Sequence, residues 1–581
     1  MFLTVSSLPE FRDENEELLF LGPWCAPYES RREWSKLRHR FLPDPWQDAS
    51  RYLTAAGYCQ AVSAHVLGEL TRYLNGVFQV ERSRRYWRLL LDPWLTHHIE
   101  QMYDHYIHVE DALKIDPNPG MTLLDPGSFE TPRGMMDFIR LILTDFYHLQ
   151  LFSQILKAKF PDAPVRRLDA PARALGKTNL KALAKKAVAW SLGALTPPGA
   201  GEVLFAEIGM NRDEQRRFIV GSGFKALPYE AELPHSMRPA PVMDARRLGL
   251  GRLKGRDDFE RLFISLLPQN FPTLFLEGHD AARRFALSRL WRTPRIVLAA
   301  TGWHYNDAFK FVAAECAERG SRLWGHQHGG GYGLLATSPA EDFEFDVTDR
   351  YYCWGWSGLG KNAKCRDLPV PMLSRTKNRE PKDDILFPSI LLDYHNIRLV
   401  RGSSNSFAFD CIEREARFLR ALPETIARHV LIRLYRRDLG IHQRERLQEL
   451  QPTTRFDDAW PPFAQRLHSA RLLVCDCPMT TFLEAFAADI PCILTWNPDT
   501  WPVYGPAMPF IERLREVGIL FYSPEEAAAQ TARIYDDPEA WWNEPERRAA
   551  HRAFADAFAR SSPDWLDAWL KEIREGLRGK S

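Results

Sequence analysis

The stretch RIVLAATGWHYNDAFKFVAAECAERGSRLWGHQHGGGYG, residues 295–333, decides the fold. It opens with an apolar run over 296–300 that has the length of a buried strand and ends at a glycine turn. Apolar residues then recur at helical spacing over 307–318, and a second short strand is predicted over 322–325. Strand, helix and strand in this order predict a parallel sheet whose ligands bind at the carboxyl edge.

The second of these strands leads into a histidine- and glycine-rich segment. Its candidate site residues are His326, Gln327, His328, Gly329 and Gly330. Histidines two positions apart on a strand face the same side, and glycines let the backbone approach a substrate closely. A histidine here can serve as a general base or bind phosphate. His304 and Glu277 follow or end neighbouring predicted strands, so we place them in the same cleft.

Composition excludes several classes of protein. The chain has 581 residues, a formal net charge of +1 and nine cysteines without a metal-binding or disulfide spacing. A nearly neutral charge argues against nucleic acid as the main partner, and no apolar run has the length of a spanning helix. We predict a cytoplasmic protein, with contact to the inner face of the cytoplasmic membrane left open.

The chain divides into two α/β domains. A Lys-rich linker over 360–384 precedes a clean alternation of strands and helices, which is typical of a parallel sheet covered on both faces. The predicted units are a first α/β domain over 1–375 with a helical insertion at about 46–190, a second α/β domain over 376–540 and a helical tail over 541–581. Within the first unit, residues 272–278 and 343–356 are predicted as strands.

In the second domain, the strand predicted over 471–476 leads into a helix. Thr481 and Glu484 have the spacing of a capping box at the start of that helix. The free N–H groups and the positive dipole at Thr480 and Thr481 would suit a phosphate group. Simple capping is the alternative interpretation.

A strand predicted over 429–435 carries Arg433 in its interior, and Arg436 follows it. A buried arginine needs a partner, which is either an anionic ligand or a buried carboxylate. Because the planar guanidinium suits phosphate, we favour Arg433 as a phosphate clamp.

Motif searches are otherwise negative. The sequence has no G-x-S-x-G, H-E-x-x-H, P-loop or G-x-G-x-x-G motif, which argues against hydrolases, zinc proteases, kinases and dehydrogenases. Cys475 and Cys477 have no second pair at metal spacing. We therefore predict no metal and no cofactor.

Several motifs resemble those of a family of transferases encoded in bacterial surface-polysaccharide loci. They are LLFLGPWC, RSRRYWRLLLDPWL, FLEG, GSRLWGHQHGGGYG, TDRYYCWGW and PMTTFLEAFAADIPCILTWNP. The chain is also similar to GT-B type glycosyltransferases and CDP-glycerol glycerophosphotransferases. The resemblance implies two Rossmann-like domains that face a cleft, with a helical N-terminal elaboration and a last helix that crosses back to the first domain.

The same resemblance implies roles for individual residues. His328 would lie in the interdomain cleft, and Arg433, Thr480, Thr481 and Glu484 would hold the donor. The segment Asp476-Cys-Pro-Met lacks the Ser-Ser of many glycerophosphotransferases, so the donor headgroup stays open.

The predicted function is transfer of a sugar from a nucleotide-activated donor to a hydroxyl of a bacterial surface glycan or glycolipid. His328, or alternatively Glu277, would take the acceptor proton, and a CMP- or CDP-linked donor is favoured by analogy. Two other functions remain open, a CDP-alcohol phosphotransferase and a non-catalytic glycan-binding or assembly protein.

Overall fold

The computed structural model describes residues 1–169, 199–290, 292–375, 379–395, 399, 405–457 and 459–579. Part of the predicted helical insertion, residues 170–190, lies outside these ranges. Among the described residues, no helix combines the length and apolar character needed to cross a membrane.

The N-terminal region is a small parallel sheet followed by two long helices. The side chains of Asp48 and Ser83 accept hydrogen bonds from the first turns of these helices, which fixes where they begin. Their apolar faces pack on each other and on the first large sheet. The elements are β1 (Phe2–Thr4), β2 (Leu18–Phe20), α1 (Arg31–Trp34), β3 (His39–Phe41), α2 (Ala49–Phe78), α3 (Arg84–Ile115), β4 (Leu123–Leu124), α4 (Met135–Leu141), α5 (Asp145–Lys159) and β5 (Val165–Arg166).

The first large sheet has six parallel strands in the order β11-β10-β9-β8-β6-β7. Its core strands are buried along their whole length because helices cover both faces. The elements are β6 (Val203–Ala206), α6 (Arg212–Gly221), β7 (Ala226–Pro228), α7 (Ala245–Gly249), α8 (Asp258–Asn270), α9 (His279–Leu287), β8 (Ile296–Ala299), α10 (Gly302–Tyr305), α11 (Asp307–Glu318), β9 (Arg322–His326), α12 (Pro339–Val347), β10 (Arg350–Cys353) and β11 (Cys365–Asp367).

The second large sheet also has six parallel strands, in the order β14-β13-β12-β15-β16-β17. This is the doubly wound order of dinucleotide-binding folds, with the reversal between β12 and β15. The elements are β12 (Ile385–Pro388), α13 (Asn405–Ala421), α14 (Glu424–Ala427), β13 (Val430–Arg433), α15 (Gln443–Leu450), β14 (Arg455–Asp457), α16 (Phe463–Ser469), β15 (Leu472–Cys475), α17 (Thr480–Ala487), β16 (Cys492–Thr495), α18 (Met508–Glu516), β17 (Leu520–Phe521) and α19 (Pro524–Ile534).

The C-terminal tail consists of α20 (Pro538–Trp542), α21 (Pro545–Phe558) and α22 (Trp565–Arg578). Phe554 of α21 packs against Phe482 and Phe486 of the second domain. The next helix, α22, buries its apolar face against strands of the first large sheet. The fold class predicted from the sequence, two Rossmann-like domains with a crossing C-terminal helix, is therefore confirmed.

Two predictions of local structure are wrong. Residues 272–278 hold a short 3₁₀ helix, Thr273–Phe275, in place of a strand. An apolar run this short has no periodicity that separates strand from helix. Residues 343–356 begin inside α12, and only Arg350–Cys353 forms a strand.

The carboxyl edges of the two sheets meet through the segment that follows the histidine motif. The backbone N–H of Ala336 donates to the carbonyl of Pro502 at 2.9 Å, and that of Tyr504 donates to the carbonyl of Leu334 at 2.8 Å. These bonds hold the loop after β9 against the second domain.

Candidate functional site

Four side chains of the first domain converge on the carboxylate of Glu344, which lies on α12. His304 Nε2 is 2.7 Å from Glu344 Oε1, and His328 Nδ1 is 3.3 Å from the same oxygen. The Tyr332 hydroxyl donates to Oε1 at 3.0 Å, and the Tyr351 hydroxyl donates to Oε2 at 2.7 Å. The cluster therefore joins a helix after β8, the loop after β9, α12 and β10.

Glu344 remains ionised in this setting. Its complete burial would raise the pKa of the carboxyl group, but the charge of His328 and the hydrogen bonds from His304 and His328 outweigh burial and lower the pKa to about 2. Burial, reinforced by the charge of Glu344, raises the pKa of the Tyr332 and Tyr351 phenols well above the usual value. A fixed negative charge thus lies directly behind His328.

His328 is the more accessible histidine of the cluster. Its side chain is 23% exposed, whereas the side chain of His304 is 9% exposed and that of Glu344 is fully buried. The arrangement leaves one imidazole partly exposed and fixes it from behind. Such a group can accept a proton or donate a hydrogen bond to a bound anion.

His326 belongs to a different environment. The strand ends at His326, and its ring lies 4.9 Å from that of Trp569 on α22. Burial lowers the pKa of His326 to about 3, so it stays neutral. The prediction that His326 and His328 face the same side is wrong, because strand alternation stops before the chain reaches His328.

The glycine loop lies directly on the start of α17. The backbone N–H of Gly330 donates to the Thr480 hydroxyl at 2.8 Å. A Cβ atom at Gly330 would lie 2.3 Å from the backbone carbon of Met479, whereas one at Gly329 would meet only the Thr480 hydroxyl, at 3.4 Å. Gly330 is therefore required by a close approach between the two domains.

Gln327 anchors this loop to the first domain. Its side-chain oxygen accepts hydrogen bonds from the Trp354 backbone N–H at 3.0 Å and from the Trp356 indole at 2.8 Å. Its amide group donates to the carbonyl of Gly329 at 2.8 Å. Gln327 is a structural support of the loop and does not line the cleft, because it is buried.

Helix α17 begins differently from the predicted capping box. Its N-cap is Met479, which makes no side-chain cap, and Thr480 and Thr481 are its first two residues. Thr481 and Glu484 therefore do not form the box. The start of the helix has no side-chain acceptor for its N–H groups, which is the condition under which a helix N-terminus binds an anion. Glu484 is placed on the following turn, where its charge faces Arg375.

Arg433 has a protein partner. Its guanidinium donates to Asp457 Oδ2 at 2.9 Å and to the carbonyl of Pro461 at 2.8 Å, and Arg466 shares the same carboxylate oxygen at 2.8 Å. The buried carboxylate is thus one of the two partners that the sequence left open. Arg436 is exposed and contacts the protein through the carbonyl of Ala459 at 3.2 Å.

Glu277 is engaged away from the histidine cluster. Both of its carboxylate oxygens accept from the buried Arg247, at 2.5 and 2.6 Å. A bidentate ion pair of this kind occupies the lone pairs of the carboxylate. The structure does not bring Glu277 and His328 together.

His304, His328 and Glu344 also carry the kind of donor atoms that bind metals, and these atoms lie within 4.8 Å of one another. His304 Nε2 and Glu344 Oε1 are 2.7 Å apart, which is a hydrogen-bond distance. Two ligands of one zinc ion, each about 2 Å from the metal, would lie farther apart than this. The cluster as it stands is a hydrogen-bonded network.

Glu344 and Tyr332 were missed from the sequence. Tyr332 is part of the motif 326–333, but only its glycines and histidines were singled out. Glu344 was placed on a strand, although Ser338-Pro339-Ala340-Glu341 carries the residues of a helix start. Ser338 does cap α12, by accepting from the N–H of Glu341.

Two Rossmann-like domains that meet at their carboxyl edges, with a last helix that returns to the first domain, define the GT-B class of transferase fold. The chain belongs to the LIC12162 family of transferases, whose model matches residues 1–573. It is a transferase by this membership. No curated protein matches it significantly in sequence.

Solved structures with a similar fold are glycosyltransferases. WaaG, a glycosyltransferase involved in lipopolysaccharide biosynthesis, is 12% identical, with 64% of this chain and 99% of WaaG covered and a TM-score of 0.31. Acinetobacter baumannii MurG is 12% identical over the same shares, with a TM-score of 0.33. The spinosyn rhamnosyltransferase SpnG, complexed with thymidine diphosphate, is 13% identical, again over 64% and 99%, with a TM-score of 0.31. At these scores the likeness does not bear on the reaction.

Proposed function

We propose that the protein transfers a sugar from a nucleotide-activated donor to a hydroxyl group of a bacterial surface glycan or glycolipid. The observation that carries the proposal is the accessible His328, fixed from behind by the buried carboxylate of Glu344 and held beside the start of α17. A glycolipid acceptor would bring the protein to the inner face of the cytoplasmic membrane.

In the proposed step, His328 Nε2 takes the proton of the acceptor hydroxyl. The acceptor oxygen then forms a bond to the anomeric carbon, and the bond from that carbon to the phosphate oxygen breaks. The nucleotide phosphate leaves with the electron pair. The step as proposed uses no metal and no redox cofactor, and their absence stays a prediction from the sequence.

Glu344 serves as the positioning residue for His328. A hydrogen bond from Nδ1–H to the carboxylate selects the tautomer in which Nε2 carries the lone pair. The negative charge also stabilises the imidazolium formed when Nε2 takes the proton. Glu344→Gln should therefore lower kcat with little change in the donor KM. Glu341→Gln, a neighbouring buried carboxyl group on α12 paired with Lys361, is the matched control.

The departing phosphate would lie at the first turn of α17, beside the glycine loop. The backbone N–H groups at Thr480 and Thr481 and the positive end of the helix dipole favour a negative charge there. Arg436 is exposed and available as a further cation, whereas Arg433 is already paired. Glu484, on the next turn, would face the nucleoside. A CMP- or CDP-linked donor is favoured by resemblance to related transferases.

The experiment that tests the proposal is a thermal-shift panel with CMP, CDP, UDP, GDP and ADP, followed by product analysis with the matching activated donor. A nucleotide that binds the folded state raises the melting temperature by mass action. A shift with one nucleotide and release of the nucleotide together with a glycoside would support the proposal. Release of CMP with a phosphodiester product would identify a CDP-alcohol phosphotransferase. No shift with any nucleotide would overturn the proposal and favour a glycan-binding protein.

A further inference from the structure

The loop that follows β6 contains an unusual backbone conformation at Glu207. Its φ angle is +51°, in the left-handed region that residues other than glycine, asparagine and aspartate rarely adopt. Gln79, Phe224 and Asp489 share this conformation after the end of a helix, where it is common, and His442 and Ala459 share it elsewhere. Glu207 follows a strand, so helix capping does not explain its conformation.

The carboxylate of Glu207 is held in a defined orientation. The Thr301 hydroxyl donates to its Oε2 at 3.0 Å, and the Asn306 side-chain amide donates to its Oε1 at 3.4 Å. These two donors flank α10, the helix that carries His304. The side chain of Glu207 is nevertheless exposed. An exposed carboxylate that two donors orient is prepared to accept further hydrogen bonds.

Glu207 lies at the point of the first sheet where strand order reverses. β6 and β8 are neighbours, with β7 on one side and β9 to β11 on the other. In open α/β sheets, ligands bind outside the carboxyl ends of the strands at this point. Arg375 ties the same loop to α6, because it pairs with Glu214 at 2.6 Å and donates to the carbonyl of Gly209 at 3.4 Å.

We infer that Glu207, oriented by Thr301 and Asn306, binds the sugar hydroxyls of the acceptor. This inference rests on the proposed function and adds to it a residue that binds the acceptor sugar. A carboxylate accepts hydrogen bonds from neighbouring hydroxyl groups of one sugar ring, and it repels phosphate and carboxylate groups. The site therefore selects a neutral, polyhydroxylated sugar unit as the part of the acceptor that lies against the first domain.

The test uses saturation-transfer NMR on the full chain without nucleotide, with a panel of methyl hexosides and methyl heptosides as probes. Binding of at least one glycoside to the wild type is expected. Glu207→Gln should weaken it about tenfold or more, because a hydrogen bond to a charged acceptor is lost. Asp213→Asn, an exposed carboxylate on α6 paired with Arg216, is the matched control and should bind as the wild type does.

Two results would overturn the inference. One is that no glycoside binds the wild type, and the other is that Glu207→Gln binds as tightly as Asp213→Asn. Because the assay contains no nucleotide, its failure is distinct from failure of the proposed donor site, which the thermal-shift panel measures.

The strained backbone supplies a second measurement. Asparagine adopts the left-handed region more readily than glutamate, so Glu207→Asn should raise the melting temperature while glycoside binding falls. A higher melting temperature together with weaker glycoside binding is expected if the strained backbone at Glu207 serves binding. A lower melting temperature with unchanged glycoside binding would assign Glu207 a structural role and contradict the inference.

Discussion

Buried charged residues have different kinds of partner at the carboxyl edges of the two sheets. At the second edge, Arg433 is neutralised inside the domain by Asp457, and Arg466 shares that carboxylate. At the first edge, the buried Glu344 is paired with histidines, and His328 keeps access to the cleft. The first edge offers a partly exposed imidazole, whereas the second offers the backbone N–H groups at the start of α17.

The difference teaches that a charged residue on a buried strand is weak evidence for a ligand. Arg433 satisfies its hydrogen bonds within its own domain, so its burial is explained without a donor. His328 owes its orientation to a carboxylate on a helix that comes later in the chain. Both residues have a fully buried partner, and what distinguishes His328 from Arg433 is its greater exposure, 23% against 9%.

The largest expected effect is a loss of activity from a change at the first edge that leaves nucleotide binding at the second edge intact. His328→Ala should lower kcat by about 10²- to 10⁴-fold, the usual contribution of a general base. The thermal shift produced by the nucleotide should be retained, since the donor is proposed to bind at α17. Steady-state kinetics and the shift assay on the same variant check this. Unchanged kcat would remove His328 from the mechanism.

At the second edge, the expected effect is on stability. Arg433→Ala should lower the free energy of unfolding by about 3 kcal/mol, because a buried ion pair is broken while Arg466 still pairs with Asp457. Arg436→Ala, at an exposed position, should change it by less than about 0.5 kcal/mol. Urea denaturation measures both. If Arg433→Ala leaves stability intact but abolishes the nucleotide shift, Arg433 is a donor ligand after all.

The contact between the edges can be loosened with one methyl group. Gly330→Ala should cost about 1–3 kcal/mol, because the new Cβ atom would overlap the Met479 backbone and force the loop away from α17. Gly329→Ala has room and should be nearly neutral. Denaturation curves of the two variants test the comparison, and equal stability would show that the loop does not depend on this close approach.

The smallest effect concerns pH. Burial raises the pKa of Glu341 to about 7, despite the opposing charge of Lys361. The folded state therefore binds this proton more tightly than the unfolded state does. As pH rises from about 5 through 7, ionisation of this carboxyl group lowers the free energy of unfolding. Glu341→Gln should therefore lose less stability than the wild type as pH rises over that range.

Glu344 should behave in the opposite way. Its lowered pKa gives stability that is present above the unfolded value and is lost only as pH falls towards about 2. The advantage of the wild type over Glu344→Gln should therefore shrink in acid. Thermal melts of both variants from pH 3 to 8 check the predicted direction of each change in stability. Parallel pH profiles would show that the two carboxyl groups do not differ in environment.

Much of the fold could be predicted because buried parallel strands are continuous apolar runs. The strands at residues 430–433 and 472–475 lie within the runs predicted over 429–435 and 471–476. Residues 343–356 were misread because their aromatic residues suggest strand. The stretch Ser338-Pro339-Ala340-Glu341 carries a helix-start signature, a serine before a proline with a glutamate two residues after the proline.

The partners of the site residues could not be predicted in the same way. Arg433 meets Asp457 because β13 and β14 are neighbours in the sheet, and β14 is too short for a sequence pattern to reveal. Glu344 reaches His328 only because α12 folds back beside β9 and β10. Local sequence predicts elements, whereas these pairs depend on which elements become neighbours.

The crossing helix has a consequence for synthesis of the chain. Trp569 and Ile573 of α22 cover apolar residues of the first sheet, such as Val203 and Trp324, that leave the ribosome far earlier. Chains emerge at roughly 5–20 residues per second, so this face stays uncovered for many seconds. The first domain begins to fold early but is finished last, and during that interval its exposed patch is a natural target for chaperones.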